Sequence, residues 1–214
     1  MKTAAIIPAY RVREKIVGVV SAIGPEIELI IVVDDACPEH SGEFVKGAVL
    51  DPRLHVVFNE DNKGVGGATI AGMIRARELG ADLMVKIDGD GQMNPALAPT
   101  FLAPLIEGLA DVTKGNRFYF LDHLKDMPRL RLYGNAFLSF LTKASSGYWN
   151  IFDPTNGYIA IRGDTFDELE TEKLARRYFF ESDLLFRLYL SGAVVMDIPM
   201  RAVYADEKSK LVIR

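Results

Sequence analysis

Lys86-Ile87-Asp88-Gly89-Asp90-Gly91-Gln92-Met93-Asn94-Pro95 is the stretch around which the chain is organised. The apolar run Leu83-Met84-Val85, with Ile87, reads as a buried strand, and two glycines then turn the chain while carrying carboxylates on alternate residues. Paired acids are thereby placed at the carboxyl end of a strand. In open α/β sheets that edge is where ligands bind, and two such carboxylates can converge on a hard divalent cation bridging phosphates. A solvated turn is the plainer alternative for an Asp-x-Asp. An EF-hand loop is excluded, because Met93 stands where that loop needs glycine and Pro99 where it needs glutamate.

Upstream, Ala4-Ala5-Ile6-Ile7 is a short apolar run ending at Pro8, as expected for a central parallel strand buried on both faces. Residues 12–23 place Val12, Ile16, Val19, Val20 and Ile23 at helical spacing, and Gly24-Pro25 stops them. Ile27 to Val33 forms a second buried strand running into Asp34-Asp35. A helix around 39–50 leads to a third strand, Leu54 to Phe58, and then to Asn62-Lys63-Gly64-Val65-Gly66-Gly67-Ala68. A dinucleotide-binding glycine motif fails here: its third glycine falls at Thr69, and the segment follows the third strand instead of the first. A tight entrance to a helix at 65–79 fits better, its small residues permitting close approach to the sheet or to a ligand, with Lys63 aimed at the edge where the acids gather.

Downstream, a helix near 95–109 leads to Asp111-Val112-Thr113-Lys114-Gly115-Asn116-Arg117. Strands separated by helices predict a parallel, right-handed α/β sheet over 3–116. Residues 118–128 read as a loop. The helix at 129–146 carries Leu130, Tyr133, Phe137, Phe140 and Leu141 on one side, a stripe expected to pack into the core. A turn-rich segment, Trp149 to Gly157, precedes a short strand, Tyr158 to Ile161. Near Glu181-Ser182-Asp183 a helix opens with Ser182 or Asp183 as the expected cap, and a last strand covers 193–198.

At 214 residues and 49% hydrophobic, the chain suits one large domain. A net charge of −4 without a Lys/Arg block argues against nucleic acid as a partner. The single cysteine, Cys37, excludes an intramolecular disulfide and any cysteine zinc cluster. His40, His55 and His123 show no ligand spacing. No signal peptide opens the chain, and no apolar run approaches the ~18 residues that span a bilayer.

Taken in order, Pro8-Ala9-Tyr10, Val33-Asp34-Asp35, Asn62-Lys63-Gly64 with Gly66, Asp88-Gly89-Asp90-Gly91-Gln92, Lys114-Gly115-Asn116-Arg117 and Glu181-Ser182-Asp183 resemble the family 2 glycosyltransferases. The likeness covers about residues 3–212 and is greatest to the polyprenyl-phosphate (dolichol-phosphate) sugar transferase branch. It implies a GT-A fold: a single Rossmann-like α/β domain with a mostly parallel central sheet flanked by helices, the nucleotide-binding half at about 1–117 and the acceptor-binding half at about 118–214. Ser209-Lys210-Leu211 also resembles that branch, where it precedes membrane-associated helices, so the natural chain is expected to continue and to act at the cytoplasmic face of a membrane.

The resemblance further implies roles. Pro8, Ala9 and Tyr10 would line the base pocket, Asp35 would hydrogen-bond the base, Lys63 and Gly66 would lie near base or phosphate, and Asp88 would reach the ribose. Asp90 would ligate Mn2+ or Mg2+ on the diphosphate of a UDP- or GDP-linked sugar, with Gln92 beside it. For a hydroxyl acceptor such as a growing glycan, Asp183, or next Glu181, would take the proton; for a lipid phosphate, already ionised, Arg117 or Arg131 would position it instead. The expected activity is inverting, metal-dependent glycosyl transfer. Where the family often has Asn-Glu this chain has Arg11-Val12, and where the lipid-phosphate branch reads Asp-Leu-Gln it has Asp90-Gly91-Gln92, which leaves donor and acceptor open. A nucleotidyltransferase is the alternative enzyme, although the loop after the first strand holds no glycine. A non-catalytic nucleotide- or carbohydrate-binding module is the alternative from another class.

Overall fold

The computed structural model describes residues 1–119 and 129–200. In chain order its elements are β1 (Thr3–Ala9), α1 (Arg13–Ser21), β2 (Leu29–Asp34), α2 (Ser41–Ala48), β3 (Leu54–Phe58), α3 (Gly64–Glu78), β4 (Leu83–Lys86) and α4 (Ala98–Ile106). Then follow β5 (Val112–Asn116), α5 (Arg129–Ser146), β6 (Ile159–Arg162), α6 (Gly163–Asp167), α7 (Phe180–Leu190) and β7 (Val195–Pro199). The strands form one sheet in the order β3-β2-β1-β4-β6-β5-β7.

β1 is flanked by parallel β2 and β4, and β2 by parallel β3. These strands are apolar on both faces because both faces are covered. Ile6, Ile31 and Val33 pack on one side with Ala68 and Met73 of α3 and Leu184 of α7. Ile7, Ile30 and Val32 pack on the other with Ile16 of α1, Val45 of α2 and Phe101 of α4. Phe101 stacks on Tyr158 with ring centroids 4.1 Å apart.

The uninterrupted parallel order expected over 3–116 is corrected at one place. β6 inserts between β4 and β5 and runs antiparallel to both, while β5 pairs in parallel with β7. A short run such as Ile159-Ala160-Ile161, apolar on both faces, must have a strand on each edge, but nothing in its composition states its direction.

Two further expectations are overturned. The aromatic stripe of α5 does not enter the core: Phe137, Phe140 and Leu141 are exposed, while Ser139, Thr142 and Ser146 are buried and Ser139 Oγ donates to the Phe152 carbonyl at 2.9 Å. The polar face of this helix packs inward because hydroxyls can satisfy loop carbonyls there. The side chains of Leu130 and Tyr133 lie outside the described residues, as do His123 and Ser209 to Leu211. Second, α7 starts at Phe180, and its N-cap, Phe179, makes no side-chain cap. Ser182 and Asp183 therefore sit inside the first turn. Asp183 accepts instead from the Ala175 amide at 2.7 Å and from Arg187 Nε at 3.2 Å, pinning the segment that leads into the helix.

Candidate active site

Between β1 and β4 the strand order reverses: β2 and β3 extend the sheet one way from β1, β4 the other. Open α/β sheets bind ligands outside the carboxyl ends of their strands at such a point. A cavity of about 1230 Å3 opens there, walled by the residues after β1, β2 and β4 and by the entrance to α7.

Pro8 and Ala9, the last residues of β1, and Tyr10 just after it form part of this wall. The next residue, Arg11, holds φ 56°, and Ala36 across the gap holds φ 51°. Two non-glycine residues in the left-handed region are strained, and the surrounding contacts hold them there. The Arg11 amide donates to Cys37 Sγ at 3.1 Å, and that sulfur lies 3.2 Å from Ser41 Oγ. Asp34 fastens the same loop, accepting from the Cys37 amide at 2.7 Å and the Gly42 amide at 2.6 Å.

Asp35, buried at the cavity edge, accepts from Asn59 Nδ2 at 2.8 Å, the Lys63 amide at 2.9 Å and the Gly64 amide at 2.8 Å. It thereby fixes the Asn62-Lys63-Gly64 turn. Gly66 lies off the wall: a Cβ there would come 2.6 Å from the Ala175 carbonyl and 2.7 Å from Phe180 Cβ. Its lack of a side chain lets α3 meet the α7 entrance. Lys63, Gln92, Asp183 and Arg117 are likewise not wall residues.

The turn after β4 brings both of its acids to the wall. Gly91 takes φ 74°, the Gln92 amide donates to Asp90 Oδ1 at 3.0 Å, and Asn94 caps the following turn by accepting from the Ala96 amide at 3.1 Å. Among the described residues no three His, Cys, Asp or Glu side chains gather into a metal cage. Two carboxylates on the wall of a cavity roomy enough for a phosphate-bearing ligand nevertheless fit Mg2+ or Mn2+, since such ions are commonly held by one or two carboxylates and completed by substrate phosphate.

Beneath the wall lies a layer of buried charge. Lys86 and Lys114 both pair with Ile159 in the sheet and so flank it on one face. Lys86, wholly buried, donates to Asp88 Oδ1 at 2.6 Å and to the Gly157 carbonyl at 3.1 Å, and lies 3.5 Å from Glu181 Oε1. Burial alone would lower its pKa, but the two carboxylates outweigh burial and the net shift is upward. Lys114 donates to the Asn156 carbonyl, and burial lowers it to about 8 against the pull of Glu181 and Asp153. Arg117 is engaged by Asp153, which has no exposed surface, through Nε at 2.6 Å and a second nitrogen at 2.8 Å. The side chain of Arg131 lies outside the described residues.

The structure thus brings Pro8, Ala9, Tyr10, Asp35, Asp88, Asp90 and Glu181 around one cavity. Sequence reasoning passed over Lys86, Gly157, Arg177 and Tyr178. For Lys86 there was a signal: a lysine inside an apolar strand must find a buried partner. Arg177 and Tyr178 carried none. Among the described residues no helix is long and apolar enough to cross a membrane.

Residues 4–170 match the model of Glycosyl transferase family 2. The chain is 29% identical to the UDP-N-acetylglucosamine–dolichyl-phosphate N-acetylglucosaminyltransferase of Methanococcus voltae, over 94% of this chain and 85% of that protein. It is 30% identical to the undecaprenyl-phosphate mannosyltransferase of Micrococcus luteus, over 95% and 84%. Among solved structures, glucosyl-3-phosphoglycerate synthase of Mycobacterium tuberculosis, in complex with Mn2+, UDP and phosphoglyceric acid, superposes with a TM-score of 0.73 at 16% identity, covering 97% of this chain and 72% of that one. That likeness gives the GT-A fold expected above. With its motif order, sheet and family match in agreement, the chain belongs to glycosyl transferase family 2.

Proposed function

We propose that this glycosyltransferase moves a sugar from a UDP- or GDP-linked donor to a polyprenyl phosphate at the cytoplasmic face of a membrane. The observation that carries the reading is the cavity at the β1/β4 switch point, with Asp88 and Asp90 on its wall. The Methanococcus voltae and Micrococcus luteus relatives, named for lipid-phosphate acceptors, support the choice of acceptor.

In this reading residues 1–117 bind the nucleotide and 118–214 meet the acceptor. Pro8, Ala9 and Tyr10 pack on the base, Asp35 holds the turn beside it, and Asp88 accepts from the ribose. Asp90 holds Mn2+ or Mg2+, which when bound offsets charge on the departing diphosphate. An ionised phosphate oxygen of the acceptor attacks the anomeric carbon from the face opposite the leaving group. As the new carbon–oxygen bond forms, the bond to the β-phosphate oxygen breaks and the nucleoside diphosphate leaves with its electron pair, inverting the centre. The acceptor oxygen carries no proton, so no base is required. A hydroxyl acceptor is the second reading, favoured by Glu181, the carboxylate of its helix turn that reaches the wall. Asp183, committed to Ala175 and Arg187, would serve there only by leaving those partners.

The test is calorimetric titration of UDP and GDP, with and without Mn2+ or Mg2+, on wild type and Asp90→Asn, followed by transfer to a polyprenyl phosphate. Binding of one nucleotide that needs both the ion and Asp90 is the expected result. Binding of neither nucleotide would falsify the donor assignment.

A further inference from the structure

Resting on that reading, we propose that Lys86 is a positioning residue for the donor: its ammonium compensates and orients Asp88 and Glu181, so that the cavity admits a nucleoside diphosphate. The two carboxylates come from distant parts of the chain, the turn after β4 and the first turn of α7, and one buried amine joins them at 2.6 and 3.5 Å. Both face the cavity that is to receive a polyanion. Without a cation between them they would repel it and each other.

Folding alone does not explain the lysine. β4 is otherwise apolar and fully buried, and burying an ammonium is costly, so apolar groups in place of the whole Lys86, Asp88 and Glu181 cluster would serve the sheet as well or better. Lys114 feels Glu181 through space but does not join the two carboxylates, because it lies across Ile159 and its amine is directed to the Asn156 carbonyl. Space is also arranged for the Lys86 head group. A Cβ on Gly157 would lie 2.6 Å from Nζ and 2.9 Å from Asp88 Oδ2, so any side chain in the Thr155-Asn156-Gly157 turn at that position would have to push the ion pair aside.

The experiment is a cycle of Lys86→Met, Glu181→Gln and the double variant, read by calorimetric affinity for UDP and GDP in the presence of Mn2+, with circular dichroism confirming the fold. Lys86→Met is expected to weaken the nucleotide that wild type binds by roughly tenfold or more, as when one partner of a buried charge pair is removed. Adding Glu181→Gln removes an uncompensated carboxylate and is expected to restore at least about threefold of that loss, beyond any change it makes in the wild-type background. A merely structural lysine gives additive losses and no recovery, and that result overturns the proposal. Should Lys86→Met fail to fold, Gly157→Ala replaces it in the cycle, since its methyl displaces the ammonium without removing it, and the same loss and recovery are required. If wild type binds neither nucleotide, the transferase reading fails and this inference falls with it. If wild type binds and Lys86→Met binds equally well, only this inference fails.

Discussion

Arg117 and Asp153 show how a residue expected to handle substrate can be committed to the protein. The carboxylate has no exposed surface, and the guanidinium meets it through two nitrogens while the Arg117 amide adds a third bond at 3.1 Å. Arg117→Met would leave a buried carboxylate uncompensated, which costs roughly 3–5 kcal/mol. Urea denaturation should therefore show a large loss of stability, and lost activity in that variant cannot by itself report an acceptor contact. An unchanged midpoint would return Arg117 to the substrate.

Asp197 is the opposite case, a carboxylate short of partners. Its Oδ2 accepts from Asn116 Nδ2 at 2.9 Å and the Phe152 amide at 3.0 Å, while Oδ1 is buried with no hydrogen bond. Burial raises its pKa to about 6. Because the folded state holds this proton more tightly than the unfolded chain, the contribution is fully present below about pH 4 and is lost as pH rises through 6. Stability measured at pH 5 and 7.5 should fall with rising pH in wild type, by about 1 kcal/mol from this partly buried group, and that component should be absent in Asp197→Asn. An identical pH slope in the two proteins would refute the assignment.

At the scale of elements, glycines mark where helices approach one another. The methyl of Gly66→Ala would strike the Ala175 carbonyl and buried Phe180, forcing α3 away from the entrance to α7. About 1–3 kcal/mol of stability should be lost, as for overpacking elsewhere. Gly18, exposed within α1, has nothing within 4 Å of a new Cβ, and Gly18→Ala should add about 0.5–1 kcal/mol. Thermal midpoints moving in opposite directions would bear out both. The same elements show what the sequence makes legible. α5 is found at 129–146, as its periodicity predicts, because spacing is a local property. Which face of α5 turns inward is not local: hydroxyls of Ser139 and Thr142 are buried while Phe137 and Phe140 face out. The cap expected at Ser182 or Asp183 fails for a similar reason, since Asp183 is drawn to an amide eight residues back.

For the whole molecule, the β1–β4 half is readable because each strand is a continuous apolar run ending in a turn, and acids at those ends coincide with the cavity wall. The direction of β6, and with it the placing of Lys86 and Lys114 on either side of one strand, is not readable, because strand neighbours are decided by the path of the whole chain. That sheet order also sets where the molecule opens first. β1, β2 and β4 are covered on both faces and paired on both edges, whereas β3 is an edge strand whose residues are all partly or largely exposed. Local opening exposes the least-covered, singly paired strand before the centre, where exchange needs global unfolding. Native-state hydrogen exchange should therefore find the amides of Ile6, Ile7 and Val85 slowest, and the bonded amides of β3 about tenfold faster or more. Equal protection in β3 and β1 would mean that the sheet opens as one unit, in which case the switch-point wall would loosen only when the whole protein unfolds.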